Sequence, residues 1–395
     1  MKSNYKQLGQ FIRQVDIRNS EGKEENLLGV SVQKKFIPSI ANTVGTDFKK
    51  YKVVKKGQFT YIPDTSRRGD KIGIALLEDY EEGLVSNVYT VFEIIDEKQL
   101  IPEYLMLWFS RPEFDRYARF KSHGSVREVM DWDEMCKVEL PVPPYEKQKE
   151  IVDGYKTITE RIALKQKIND NLAACIDTIF NEQFGNFKAL AESSTANTDF
   201  SSLPDGWTIE NAVHSFDISI GKTPPRSELE WFTSNQTDNV WISIADMKTN
   251  SPFIFKSAEY LTNEAVKKHN VKIVPANSVL LSFKMTVGRV AIVTNEVTTN
   301  EAIAHFPCTK ENLFFVYCYL KNFNYGYLGS TSSITTAINS KIIKEMPFLM
   351  PSNKELDLFN RKVSGLFEQL KYISKELDIL EELSKMLLPQ LLGHC

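Results

Sequence analysis

Five short stretches of this 395-residue chain gather the side chains that could do chemistry, each within sequence that reads as a loop. Ser66-Arg67-Arg68-Gly69-Asp70-Lys71 offers Ser66, Arg67, Arg68 and Lys71, and Lys121-Ser122-His123-Gly124-Ser125-Val126-Arg127 offers Lys121, Ser125 and Arg127. Further along, residues 221–226 supply Lys222, Thr223 and Arg226, residues 282–289 supply Ser282, Lys284, Thr286 and Arg289, and residues 330–333 supply Ser330 and Thr331. Lysine and arginine pair with phosphate oxygens, arginine also forks onto the guanine edge, and hydroxyls bond either phosphates or base edges. Loop glycines let the backbone approach a ligand closely. A solvated turn with incidental charge would explain any one of these residues equally well. Recurrence of such loops at matching positions in two halves of the chain weighs for a shared role.

The constellations that catalysis needs are missing from the sequence. Gly221-Lys222-Thr223 resembles the end of a phosphate-binding P-loop, but that loop also needs a glycine at 216, where Phe216 stands. Pro143-Pro144-Tyr145 resembles part of an amino-methyltransferase signature, but Val142 occupies the place of the side chain that would accept the amine protons. No GxGxxG or GxSxG occurs, and His123, His214, His269, His305 and His394 show no metal-ligand spacing. The expectation is therefore no catalytic residue, no metal and no cofactor on this chain.

Bulk properties are those of an ordinary globular protein: 42% hydrophobic, 25% charged, net charge −3. Residues 1–143 hold 22 Lys+Arg against 22 Asp+Glu, and residues 196–351 hold 13 against 14. Any polyanion-binding face must then come from sorting charge onto one side rather than from an overall basic character. No apolar run approaches the roughly 20 residues that span a bilayer, and the first residues lack a signal-peptide apolar region. Five cysteines without a CxxC pair suit a reducing cytoplasm.

The elements that must carry the loops occur twice. In the first half, strands are expected at 57–62, 71–76 and 88–95 and a helix at 102–109. The proline cluster 140–144 closes that unit, and a long helix follows from about 146 to about 183. A Ser/Thr/Asn/Asp-rich linker spans 189–204. The second half repeats the order with strands at 240–244, 279–283 and 290–293, a helix at 313–321, prolines at 347 and 351, and a helix to about 388. Both long helices carry apolar residues at alternating steps of three and four, which marks a coiled-coil seam. Ile151, Tyr155, Ile158 and Ile162 begin the first seam, with Leu172, Ile176 and Ile179 further on. The second runs through Leu356, Phe359, Val363, Leu366, Leu370, Ile373, Leu377, Leu380, Leu387 and Leu391. An offset of 208 residues superimposes the first four positions on Phe359, Val363, Leu366 and Leu370. Lys165, Asn169 and Ser384 interrupt the seams, as register-setting polar residues do. The expected fold is α+β: two similar β-rich heads, 1–143 and 205–350, joined by helices 144–188 and 351–395 that pair as an antiparallel coiled coil. At ~1.5 Å per residue, a helix of roughly 38 residues is about 57 Å long. The competing reading is two amphipathic core helices inside one globule.

Several stretches, taken in this order with a helix after each head, resemble the DNA-specificity subunit of type I restriction-modification systems. They are YKVVKKGQFTYIP at 51–63 with Ser66-Arg67-Arg68-Gly69, Gly124-Ser125-Val126-Arg127-Glu128, and LPVPPYEKQKEI at 140–151. In the second half they are VLLSFKMTVGRVAIV at 279–293 and Asn300-Glu301-Ala302. The resemblance implies two target-recognition domains, each reading one half of a split, asymmetric sequence in double-stranded DNA. It implies a helical spacer that docks two modification subunits, which carry adenine-N6 methylation with S-adenosylmethionine. Restriction subunits, working with ATP and Mg, would join that core. The second proline motif departs from the first: Glu355 is expected in the place of Gln148, and Ser352-Asn353 in that of Tyr145-Glu146. A coiled-coil scaffold with two protein-binding heads is the alternative from another class, and a self-contained methyltransferase-endonuclease fragment is a third.

Overall fold

The computed structural model describes residues 5–39, 45–65, 71–122, 128–193, 199–236, 238–248, 251–328 and 338–393, with side chains described as far as 388. Ser66, Arg67, Arg68, Ser125, Arg127, Ser330 and Thr331 lie outside the described residues. Tertiary contacts divide the chain into Met1–Arg161 with Leu380–Cys395, and Ile162–Ile379. We call these units 1 and 2.

In unit 1 the strand Tyr5–Gln7 pairs antiparallel with Glu139–Pro141, so the unit's first and last strands close on each other just before the first long helix. The main sheet orders Ile12–Val15, Thr90–Ile94, Phe59–Tyr61 and Ile74–Leu76, all antiparallel. Pro102–Phe109 then forms a helix, with proline in its first turn where the missing N–H costs nothing. Its Phe109 packs edge-on to Phe59 and Phe92, whose rings stack at 4.9 Å. Ile151 of the first long helix and Leu388 of the second belong to this same core.

Unit 2 repeats the plan. Thr208–Asn211 pairs with Pro347–Met350, again the strand before a long helix. Its main sheet orders Ser219–Ile220, Ile303–Pro307, Ser278–Ser282 and Val290–Val293, with Phe253–Ile254 added in parallel at the edge. The helix Leu313–Asn322 follows the sheet as Pro102–Phe109 does in unit 1. In each unit a tyrosine hydroxyl from that helix donates to a proline carbonyl of the closing strand: Tyr104 to Pro141 and Tyr319 to Pro347, both at 3.0 Å.

The long helices are Tyr145–Glu192 and Asn353–Gly393. Within unit 2, Gln183 bonds Glu355 at 3.1 Å and Lys165 pairs with Glu376 at 2.8 Å, so numbers fall on one helix as they rise on the other. Within unit 1, Tyr155 accepts from Ser384. The pairing is antiparallel in both places. It is not a bare coiled coil, however. Phe180 and Phe184 pack edge-on to Phe359 and also reach Phe315 of the head, so seam and head share one core.

Three sequence expectations shift. The first long helix runs nine residues past Gln183, to Glu192. Phe184, Phe187 and Ala191 continue its apolar face, and Lys188 and Glu192 bond the carbonyl of Asn322 and the amide of Asn324. Burying a phenylalanine contributes ~1.5–3 kcal/mol, enough to offset Gly185 in a helix interior. In the second seam, Phe367 and Leu388 are buried where Leu366 and Leu387 were expected to carry the packing. Lastly, Leu356 rather than Glu355 occupies the place of Gln148: each is buried and stands three residues before a core residue, Phe359 or Ile151. Glu355 instead accepts from Gln183.

Gln148 explains how the first helix is set on its head. It is 0% exposed, its Oε1 accepts from the Ile101 amide at 2.9 Å, and its Nε2 donates to the carbonyls of Gln99 and Pro143, both at 2.8 Å. The glutamine thus joins the start of the helix Pro102–Phe109 to the start of the first long helix, leaving no buried backbone group among the three without a partner.

Candidate nucleic-acid interface

Lys222, Thr223 and Arg226 follow the strand Ser219–Ile220, and the other candidate loop stretches fall on two connections that recur in both units. The first links two neighbouring antiparallel strands of the main sheet: residues 62–73 in unit 1, between Phe59–Tyr61 and Ile74–Leu76, and residues 283–289 in unit 2, between Ser278–Ser282 and Val290–Val293. The second lies between the post-sheet helices and the closing strand, where 121–127 and 330–333 fall. Sequence order alone suggested this correspondence; strand pairing gives it a topological basis.

In unit 1 the roots of the two connections are bonded together. Thr65, the last described residue before the first loop's basic stretch, donates its hydroxyl to Ser122 at 2.9 Å and its amide to the Glu128 carbonyl at 2.9 Å. Ser122 and Glu128 flank the other loop on either side. The far root is fixed by a pair that sequence reasoning missed. Lys34 donates to Asp115 at 2.5 Å and to the Ile72 carbonyl at 2.7 Å, while Asp115 accepts from the Ile72 amide. Both side chains are largely buried. Burial lowers the lysine's pKa, and Asp115 works against that by holding the charge. Lys71, one residue before this clamp, is exposed. Lys121 is half-exposed, 3.8 Å from Glu134.

In unit 2, Ser282 departs from its expected role. It is 0% exposed, so it cannot reach a ligand; its hydroxyl donates to the Thr286 carbonyl and accepts from the Arg289 amide, which shapes the loop. Arg289 donates to the Ile244 carbonyl at 2.6 Å. Arg226 forms a two-pronged pair with Glu259 at 2.7 and 2.8 Å and lies 4.1 Å over Phe232 and 4.7 Å over Trp241. Both arginines are thus engaged in holding loops in place. Lys222, Lys284 and Thr286 are exposed.

Asn300-Glu301-Ala302 brings these loops side by side. The Phe283 amide donates to the Ala302 carbonyl, and Lys222 donates its amide to Thr299. Gly221 is required here, because a Cβ would lie 2.1 Å from the Asn300 carbonyl. Thr223 donates to the Glu301 carboxylate. Burial alone would raise the Glu301 pKa, but the Thr223 hydroxyl, the residue's own amide and the charges of Lys284 and Arg226 outweigh it and hold the carboxyl below its ordinary range. Beneath them His305 bridges Ser219 at 2.8 Å and Thr299 at 2.7 Å, and burial lowers its imidazole to about 4, so it is neutral. Among the described residues no cluster of three His, Cys, Asp or Glu side chains could hold a metal.

The sequence profile of the type I restriction modification DNA specificity domain matches residues 9–174 and again 214–384. The chain belongs to that family. A curated relative, the type I restriction enzyme HindI specificity subunit of Haemophilus influenzae, is 23% identical over 406 residues, covering 87% of each chain. The MjaIX specificity subunit of Methanocaldococcus jannaschii is 22% identical, over 75% of this chain and 70% of that one. In fold, the chain resembles the crystal structure of the type-I restriction-modification system S subunit from M. genitalium, with a TM-score of 0.59 and 13% identity over 98% of this chain and 95% of that one. As a DNA-specificity subunit, the chain supplies sequence recognition and not catalysis, which lies on partner subunits of a multi-subunit system. The family match decides for DNA recognition over the protein-binding scaffold. Among the described residues no helix is long and apolar enough to cross a membrane.

Proposed function

We propose that each unit reads one half of a split, asymmetric duplex sequence through its two recurring loop connections. Unit 1 uses Ser66, Arg67, Arg68, Lys71, Lys121, Ser125 and Arg127. In unit 2 the contacts are Lys222, Lys284 and Thr286, which are exposed, together with Ser330 and Thr331, with Thr223, Arg226 and Arg289 supporting them; Lys222, Thr223 and Arg226 come from a third loop, after the strand Ser219–Ile220. The paired helices act as spacer and as the docking surface for two modification subunits, which methylate adenine-N6 with S-adenosylmethionine, and ATP- and Mg-dependent restriction subunits join them in the cytoplasm. The chain itself holds no cofactor. The observation that carries this reading is the matched place of two connections in the two sheet plans: the stretches 66–71 and 284–289, and 121–127 and 330–331, fall between corresponding elements of the two units, and in unit 2 the loop 221–226 is bonded beside 283–289 through Asn300-Glu301-Ala302.

Salt titration of duplex binding by the chain with its modification partners tests it. Each neutralised phosphate contributes a log–log slope of roughly −0.9 on B-DNA. A steep slope together with preference for one bipartite sequence is expected. A shallow slope with no sequence preference would favour a protein-binding scaffold.

A further inference from the structure

The loop between Ser278–Ser282 and Val290–Val293 holds an apolar side chain out in solvent on a strained backbone. Met285 is 99% exposed, and its φ is +59°, where residues with a Cβ are disfavoured. The Thr286 amide donates to the Lys284 carbonyl at 2.6 Å, closing a three-residue turn centred on Met285. With a positive φ at its centre, that turn is of the rare, strained kind. The surrounding loop enforces it. Ser282 bonds Thr286 and Arg289 through its hydroxyl, its carbonyl accepts from the Gly288 amide at 2.9 Å, and Gly288 (φ +89°) abuts the Tyr325 ring. Glycine or asparagine at 285 would relax the turn, and a polar residue would suit its exposure. A bracket this well bonded, presenting a bare thioether between two exposed polar neighbours, Lys284 and Thr286, fits a ligand with apolar faces stacked inside an anionic envelope. Duplex DNA is such a ligand, and methionine is among the side chains that proteins wedge between base pairs.

We propose that Met285 inserts between two adjacent base pairs of the half-sequence read by unit 2, unstacking that step while Lys284 holds the flanking phosphate. The sequence preference at that step then comes partly from how readily it unstacks, highest for pyrimidine–purine steps. This rests on the DNA-reading role of unit 2.

The test uses the full chain with its modification subunits and target duplexes carrying 2-aminopurine at successive positions of that half-sequence. Wild type should brighten one step on binding. Met285→Leu should retain the signal, whereas Met285→Gly and Met285→Gln should abolish it and weaken binding about tenfold, comparable to one mismatched base pair. Their salt slope should be unchanged, because every phosphate partner is still in place. A full signal in Met285→Gln, or no bright step in wild type, would overturn the insertion. So would sensitivity to uracil-for-thymine replacement without brightening, which would make the residue a thymine-methyl contact instead. If wild type binds duplex with no sequence preference at all, the reading role of unit 2 fails and the insertion with it; sequence-selective binding that ignores residue 285 defeats the insertion alone.

Discussion

Replacing Gln148 by glutamate would keep the side chain's shape and invert its hydrogen bonding. The Ile101 amide keeps its acceptor, but the two donors to the Gln99 and Pro143 carbonyls become one oxygen. Two bonds worth ~1 kcal/mol each are lost, and a buried carboxylate then faces two carbonyls, so the total should be on the order of 3–5 kcal/mol at neutral pH. Burial and the facing carbonyls raise the folded-state pKa of the new carboxyl above its unfolded value near ~4.3. The variant is therefore least impaired in acid, where the protonated acid donates one bond again, and stability is lost as pH rises through the raised folded pKa. Gln148→Leu should cost about 3 kcal/mol with no such pH dependence. Hydrogen exchange of the amides in 99–109 and 139–151, compared at pH 5 and pH 8, reads the effect in unit 1. Exchange in unit 2 serves as the internal control. Equal protection of Gln148→Glu and wild type at pH 8, or a defect that worsens toward pH 5, would refute the clamp.

Further outcomes follow from the same geometry. His305, buried and neutral with its pKa lowered to about 4, should make unit 2 lose about 3 kcal/mol as pH falls from ~6.5 toward 4, since the unfolded chain takes up the proton first; His305→Gln should flatten that fall in a urea-unfolding series. Lys222→Ala with Lys284→Ala should lower the salt slope of duplex binding by ~0.9 for each phosphate no longer neutralised and leave preference at the other half-sequence intact. Matching seven-residue insertions in both long helices should lengthen the unread gap by about 3 base pairs, from ~1.5 Å per helical residue and ~3.4 Å per base pair, without altering either half-sequence; altered half-sequences with a constant gap would count against a spacer role.

The duplicated plan was legible because it rests on periodicity and proline placement. The helices 102–109 and 313–322 and the strand Val290–Val293 fall almost residue for residue where apolar patterning puts them. Less visible was anything set by tertiary partners. The first long helix extends to Glu192 because Phe184 and Ala191 find a core in unit 2, which no local signal announces. Ser282 falls at the end of the strand expected at 279–283, and what the sequence did not show is that its hydroxyl turns inward, buried, to tie the loop that follows. The Lys34–Asp115 pair joins residues 81 apart, beyond any pattern in a single sequence. Arg226 looked like a phosphate contact because its ion-pair partner, Glu259, lies 33 residues away in sequence. Met285 carried one faint signal, an apolar residue three places before a loop glycine.

Sequencing of methylated adenines in a host carrying the chain and its modification partners tests the two-reader arrangement most directly. With Lys222, Lys284 and Thr286 all replaced by alanine, one half of the methylated sequence should degenerate while the other half and the gap stay as they are in wild type. Degeneration of both halves together, or of neither, would contradict independent reading by the two units.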